Sequence, residues 1–204
     1  MNQISNPRFF VANAVAHSEP EAAAKTQELT PQGVLWLAAL GAASRMGVTQ
    51  DEIGQIVQFL SQPSWEPSTG LIDKAVHDLV QESHLIGQPP LQGEPRFVPT
   101  VSGRSNFRRL MLTRIGHVPS PFGQACLRVK LAFIDLLAPS DRSQLLEIVA
   151  RNYERELILR RNRRPPFQIG LFGQSWRDQE TEHLRRDLVQ MRTYAYAPIY
   201  EDMV

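Results

Sequence analysis

The chain has 204 residues, 42 % of them hydrophobic and 21 % charged, with a formal net charge of +1. That composition is enough to bury a core and excludes a disordered chain, while the balanced charge means that a polyanionic partner must be met by a local patch. Cys126 is the one cysteine, which excludes an intrachain disulfide or a cysteine-rich zinc site and fits a reducing compartment.

Residues 1–17 show no clear period and read as a loosely held arm. Ser18 to Glu21 has capping-box spacing ahead of an alanine run, which predicts a short helix over about 19–28. Thr30-Pro31 is an N-cap followed by a first-turn proline. The helix they open, about 31–46, is apolar nearly all round and is stopped by Gly47. Its most apolar window, Val34 to Ala43, is about half the length of a membrane-spanning helix. With no basic region and apolar core at the N-terminus, a soluble cytoplasmic protein without a membrane partner is expected.

Thr49 to Glu52 is a second capping box, opening a helix over about 50–61 with Ile53, Val57 and Leu60 on one face. Prolines 63 and 67 break the chain. A helix over about 68–84 follows, with Ile72, Val76 and Leu79 at helical spacing. Gly87 to Gly93 cannot continue it and reads as the tip of a β-wing, leading to the extended segment Arg96 to Gly103. Helix, loop and basic β-arm in this order form the pattern of a winged helix-turn-helix.

A helical period resumes at Arg104. Val118-Pro119-Ser120-Pro121 is the best linker candidate, and three helices are expected beyond it, over about 122–138, 140–162 and 176–193. Their apolar stripes are narrow and of coiled-coil type. Packing against the same helices of a second chain would bury them, in an isologous dimer with Leu146, Val149, Tyr153, Leu157, Leu184, Leu188 and Met191 in its seam. Folding back on the N-terminal domain is the alternative. Gly170-Leu171-Phe172-Gly173 reads as a loop packed by its two apolar residues.

Several of these residues resemble the PadR-like family of bacterial winged-helix repressors. Gly70, Leu71-Ile72, Val76 and Leu79 are similar to the spacing in that family's third helix. Phe97 to Gly103 keeps the aromatic, Thr and Gly of the family's second wing strand. Leu136 to Arg142 is similar to its junction between dimerisation helices, and Trp176 begins a final helix in the usual place. The likeness covers roughly residues 30–193. Asp73 departs from it where tyrosine is common, Ser83 where a glycine often ends the helix, and Pro99 where leucine pairs. Because proline lacks a ladder donor, the second wing strand is expected at an edge.

The resemblance implies a mainly α fold with four regions. These are an N-terminal arm with a short helix (1–29), a winged helix-turn-helix (30–114), a helical dimerisation region (122–193) and a tail (194–204). It implies a homodimeric, DNA-binding transcriptional repressor, in a family where some members release DNA on binding small aromatic or hydrophobic molecules. In a winged helix the third helix enters the major groove and the wing reaches a flanking groove or phosphates. Between Ser64 and Ile86, however, four acids (Glu66, Asp73, Asp78, Glu82) face one base, Lys74. From 96 to 114 there are five arginines and no acid. Phosphate contact is therefore expected from Arg96, Arg104 and Arg108, and groove contact from Ser68, Thr69 and Lys74 at the start of the helix.

The run Arg160 to Arg164 reads either as a second phosphate site or as charge complementing a helix C-terminus. His77 and His84, two helical turns or roughly 10 Å apart, are too far apart to chelate one metal. No Walker loop, dinucleotide fingerprint, nucleophile elbow or paired-histidine motif is found, so no enzyme, metal or cofactor is expected. Trp36, Trp65 and Phe9-Phe10 read as core or as the lining of an effector pocket. The rival reading is a dimeric winged-helix adaptor that does not bind DNA.

Overall fold

The computed structural model describes residues 27–63, 65–89, 94–163 and 170–196. The expected arm with Phe9-Phe10, nearly all of the 19–28 helix, the wing tip and most of the tail lie outside them.

Helix α1 (Pro31–Arg45) is the hub. Thr30 accepts from the Gly33 N–H at 3.1 Å and Pro31 opens the first turn. Its side chains from Val34 to Ala43 are buried on nearly every side apart from the half-buried Trp36, because α2, α3, α4, α5 and β2 all pack on it. The capping box opens α2 (Gln50–Ser61): the Glu52 N–H donates to Thr49 Oγ1 at 3.3 Å, and the Thr49 N–H donates to the Glu52 carboxylate at 2.8 Å. Helix α3 (Thr69–Gln81) buries Ile72, Ala75, Val76 and Leu79, the stripe its spacing predicts. The chain leaves α3 through Ser83, at φ 57°. A left-handed backbone there is what glycine adopts without strain.

Strands β1 (Leu85–Gln88) and β2 (Arg96–Pro99) pair antiparallel, with Leu85 opposite Pro99 and Gln88 opposite Arg96. Val48 exchanges two backbone hydrogen bonds with Phe97, at 2.7 and 3.2 Å. The second strand is an edge of this two-stranded sheet, as its proline predicts, and the Val48 bridge covers it only at Phe97. At Phe97, β2 lies between β1 and Val48, and its proline is tolerated because it stands last, beyond that bridge. The order of three helices and a hairpin on a short bridging strand is a winged helix.

Thr100 caps α4 (Val101–Leu112) by accepting from the Gly103 N–H at 3.0 Å, while its hydroxyl donates to the Ser83 carbonyl at 2.7 Å. A Cβ on Gly103 would stand 2.0 Å from the His84 carbonyl oxygen. The Thr-x-x-Gly spacing thus closes the wing onto the next helix.

The segment 118–121 is a packed turn with Val118 fully buried, and the apolar core continues across it. Helix α5 (Pro121–Ala132) and a 3-10 turn (Ile134–Leu136) replace the single helix expected over 122–138. Lys130 of α5 is buried and donates to the Leu110, Met111 and Thr113 carbonyls at the end of α4. Burial pulls its ammonium down to about 7 and pushes the neighbouring Cys126 thiol up to about 12. The cysteine is a packing residue.

Helices α6 (Pro139–Asn162) and α7 (Leu171–Tyr196) form a hairpin. Leu146, Val149, Tyr153, Leu184, Leu188 and Met191 are buried between its helices and their neighbours, with Leu157 half-buried, in a single chain. That corrects the expectation that these stripes need a second copy. Burial also pushes the Tyr153 phenol up to about 12. The expected loop at 170–173 is also corrected: α7 begins at Leu171, five residues early, and Leu171 and Phe172 are 81 % and 94 % exposed instead of packed. Among the described residues no helix is long and apolar enough to cross a membrane.

Candidate nucleic-acid interface

The start of α3 is open. Ser68 makes no side-chain capping bond, Ser68, Thr69 and Gly70 are exposed, and a Cβ on Gly70 would touch nothing. The first backbone N–H groups of α3 and two hydroxyls are therefore accessible, with the helix dipole adding positive potential. One turn later the face turns acidic. Lys74 is paired with Asp78 at 2.8 Å, Gln32 also donates to Asp78, and Gln50 donates to Asp73 at 2.7 Å. From Gln50 to Glu82 the helix-turn-helix carries six acids and one base.

The wing supplies the cations. Arg96 donates to the Gly47 carbonyl at 2.6 Å and pairs with Glu52 at 3.0 Å, yet its side chain stays nearly half exposed. The Thr49 N–H, with Arg96 beside it, holds the Glu52 carboxyl below its ordinary value. Arg104 is exposed, donates to the Pro99 carbonyl at 3.0 Å, and has no ion pair among the described residues. These bonds orient both guanidinium groups at the base of the wing and leave donors over for phosphate.

Arg108 is tied into the fold although its side chain stays 60 % exposed. It forms a two-point pair with Asp141 of α6, at 2.5 and 2.6 Å, which holds the Asp141 carboxyl below its ordinary value and raises Arg108. Arg109 is held by Asn106 at 2.7 Å. Glu52 and Asp141, the residues that orient or tie down these arginines, escaped the sequence reading because they lie 44 and 33 positions from their partners.

Trp36 and Trp65 do not share a pocket. Trp36 meets His84 edge-on with ring centres 6.0 Å apart, and it lines a cavity of about 90 Å³ beside Leu29 and Arg109. Trp65 packs edge-on against Phe122 at 5.2 Å. A roomier and more apolar cleft, about 600 Å³, lies where α5 and the 3-10 turn meet α6 and the end of α7. Leu131, Ile134, Leu146 and Ala195 line it, with Arg142 and Tyr194 as polar groups. Arg142 is anchored by the Leu137 and Asp135 carbonyls, both within 2.8 Å.

No protein-family model matches the chain, and no curated protein does. Among solved structures it is similar to Bacillus subtilis PadR in complex with operator DNA, with 17 % identity and a TM-score of 0.37 over 81 % of this chain and 98 % of that one. Similar too are Bacillus subtilis PadR on its own (15 %, 0.36, 83 % and 97 %) and in complex with p-coumaric acid (15 %, 0.33, 81 % and 96 %).

Proposed function

We propose that this chain is a DNA-binding transcriptional regulator that acts as a homodimeric repressor by occluding its site. The observation that carries the reading is the uncovered first turn of α3 beside a wing whose base presents Arg96 and Arg104. In this reading Ser68, Thr69 and Lys74 address the groove while Arg96 and Arg104 hold phosphates. The wing supplies most of the affinity, because the acids of α2 and α3 oppose a polyanion.

The dimer contact falls on side chains that the single chain leaves exposed, Leu171, Phe172 and Trp176 at the start of α7. A small hydrophobic or aromatic effector fits the α5–α6–α7 cleft better than the two tryptophans.

A second reading, an adaptor that binds protein instead of DNA, is favoured by the acid excess on α2 and α3 and by Phe59, 82 % exposed on α2. Titration of labelled duplex from upstream of the chain's own gene separates the two. A regulator binds below micromolar at low salt with a steep salt slope, and Arg104→Ala reduces that slope by about one unit. Undetectable binding at low salt decides for the adaptor. Light scattering at twice the 23.1 kDa chain mass, falling to that mass for Phe172→Ser, checks the dimer.

A further inference from the structure

A second cationic surface lies at the far end of the hairpin, and the winged helix does not use it. A cleft of about 580 Å³ opens between the last turns of α6 and the first turns of α7. Arg160 and Arg161 enter it from α6, and Arg177 and Arg185 from α7. Leu157 and Ile158 contribute apolar lining; Gln174, Thr181 and Asp178 complete the wall. We infer that this cleft binds a small phosphorylated molecule of nucleoside di- or triphosphate size.

The arginines at the end of α6 complement that helix's C-terminal dipole, but Arg177 stands in the second turn of α7, where the dipole disfavours a cation. Structural pairing accounts for part of the set: Arg160 with Glu180 at 2.7 Å, Arg185 with Glu182 at 3.3 Å, and Arg177 on the Arg163 carbonyl at 3.0 Å. Arg161 has no ion pair among the described residues. Two guanidinium groups, Arg161 and Arg177, therefore stand at the cleft without an ion pair among the described residues, beside one lining carboxylate, Asp178, and the cleft's volume suits a nucleotide.

The cleft is a separate site from the wing. Nineteen residues of α6 part Asp141, where the helix meets α4, from Arg160, a distance of roughly 28 Å at 1.5 Å per residue. An open cleft that far from α4 favours a small ligand over an extension of the duplex footprint.

Calorimetric titration of the full chain with sodium triphosphate and with ATP, at low salt, tests the inference. Saturable binding is expected, weakened by at least about tenfold in Arg161→Ala/Arg177→Ala and tightened in Asp178→Asn, which removes a like charge from the ligand's surroundings. Circular dichroism confirms that the variants keep their helices, and the exposed Arg161→Ala alone serves if the double variant does not fold. Absence of binding by both probes, or equal binding by the arginine variants, overturns the inference. So does an arginine variant that loses duplex affinity and keeps triphosphate affinity. None of these results bears on the Arg104 salt slope, so the two readings fail independently.

Discussion

The winged-helix unit gathers its helices around an all-apolar hub, whereas the α6–α7 hairpin is built from two long, mostly polar helices with narrow apolar stripes, and the two close in different ways. Around α1, each helix finds a neighbour on its apolar side, and the joints left over are polar: Thr100 and Gly103 at the wing, and Lys130 on the end of α4. The hairpin closes one face and leaves Leu171, Phe172 and Trp176 in water. A hub helix can be covered from several sides, whereas two antiparallel helices cover each other from one. The first region is therefore sealed at polar joints, and the second keeps exposed apolar side chains at its end.

The sharpest way to break this contrast is at Gly103. Gly103→Ala drives a methyl into the His84 carbonyl and should cost about 3 kcal/mol in chemical denaturation. A loss below about 1 kcal/mol would show that the wing joint is loose. Lys130→Met comes next: it leaves three carbonyls at the end of α4 without their donor, for a loss of about 2 kcal/mol in the same measurement.

The pair between α4 and α6 gives a signature in pH. Because Arg108 holds Asp141 below its ordinary value of 3.8, its contribution is complete above that value and disappears as pH falls through the lower folded one. The gap in Tm between the chain and Arg108→Ala should thus be flat at neutral pH and close in acid. A gap that widens in acid would contradict the pairing. The smallest effect has the opposite sign. Ser83→Gly relieves a left-handed serine and should stabilise by about 1 kcal/mol, read as a higher denaturation midpoint.

Local chemistry was readable where a few adjacent residues decide the outcome. Thr30-Pro31 and the Thr49–Glu52 box opened the helices they announce, and the stripe of Ile72, Val76 and Leu79 is the buried face of α3. Residues bracketed by glycines at 170–173 were misread, since a glycine inside a helix costs only about 1 kcal/mol and about six further turns of helix outweigh it. The fate of the arginines was not legible at all. Arg96, Arg104 and Arg108 look alike in sequence, and only the folded chain sets Glu52 beside the first, a carbonyl beside the second and Asp141 against the third. The hairpin stripes were misassigned for a related reason: periodicity identifies a face to be buried but not whose chain buries it.

Helix α6 makes polar contact with the rest of the chain at two places, Asp141 with Arg108 of α4 and Glu156 with His117 just beyond α4 at 2.8 Å. These are fifteen residues apart, roughly 22 Å along the axis. A rod held at one point can pivot; held at two, it keeps its bearing. The hairpin is in that sense a lever with its fulcrum already fixed, and its tip inherits its position from the flank of the wing. Between the two attachments Leu145, Val149 and Tyr153 are sunk in the common core, so apolar packing and polar contact fix the same bearing.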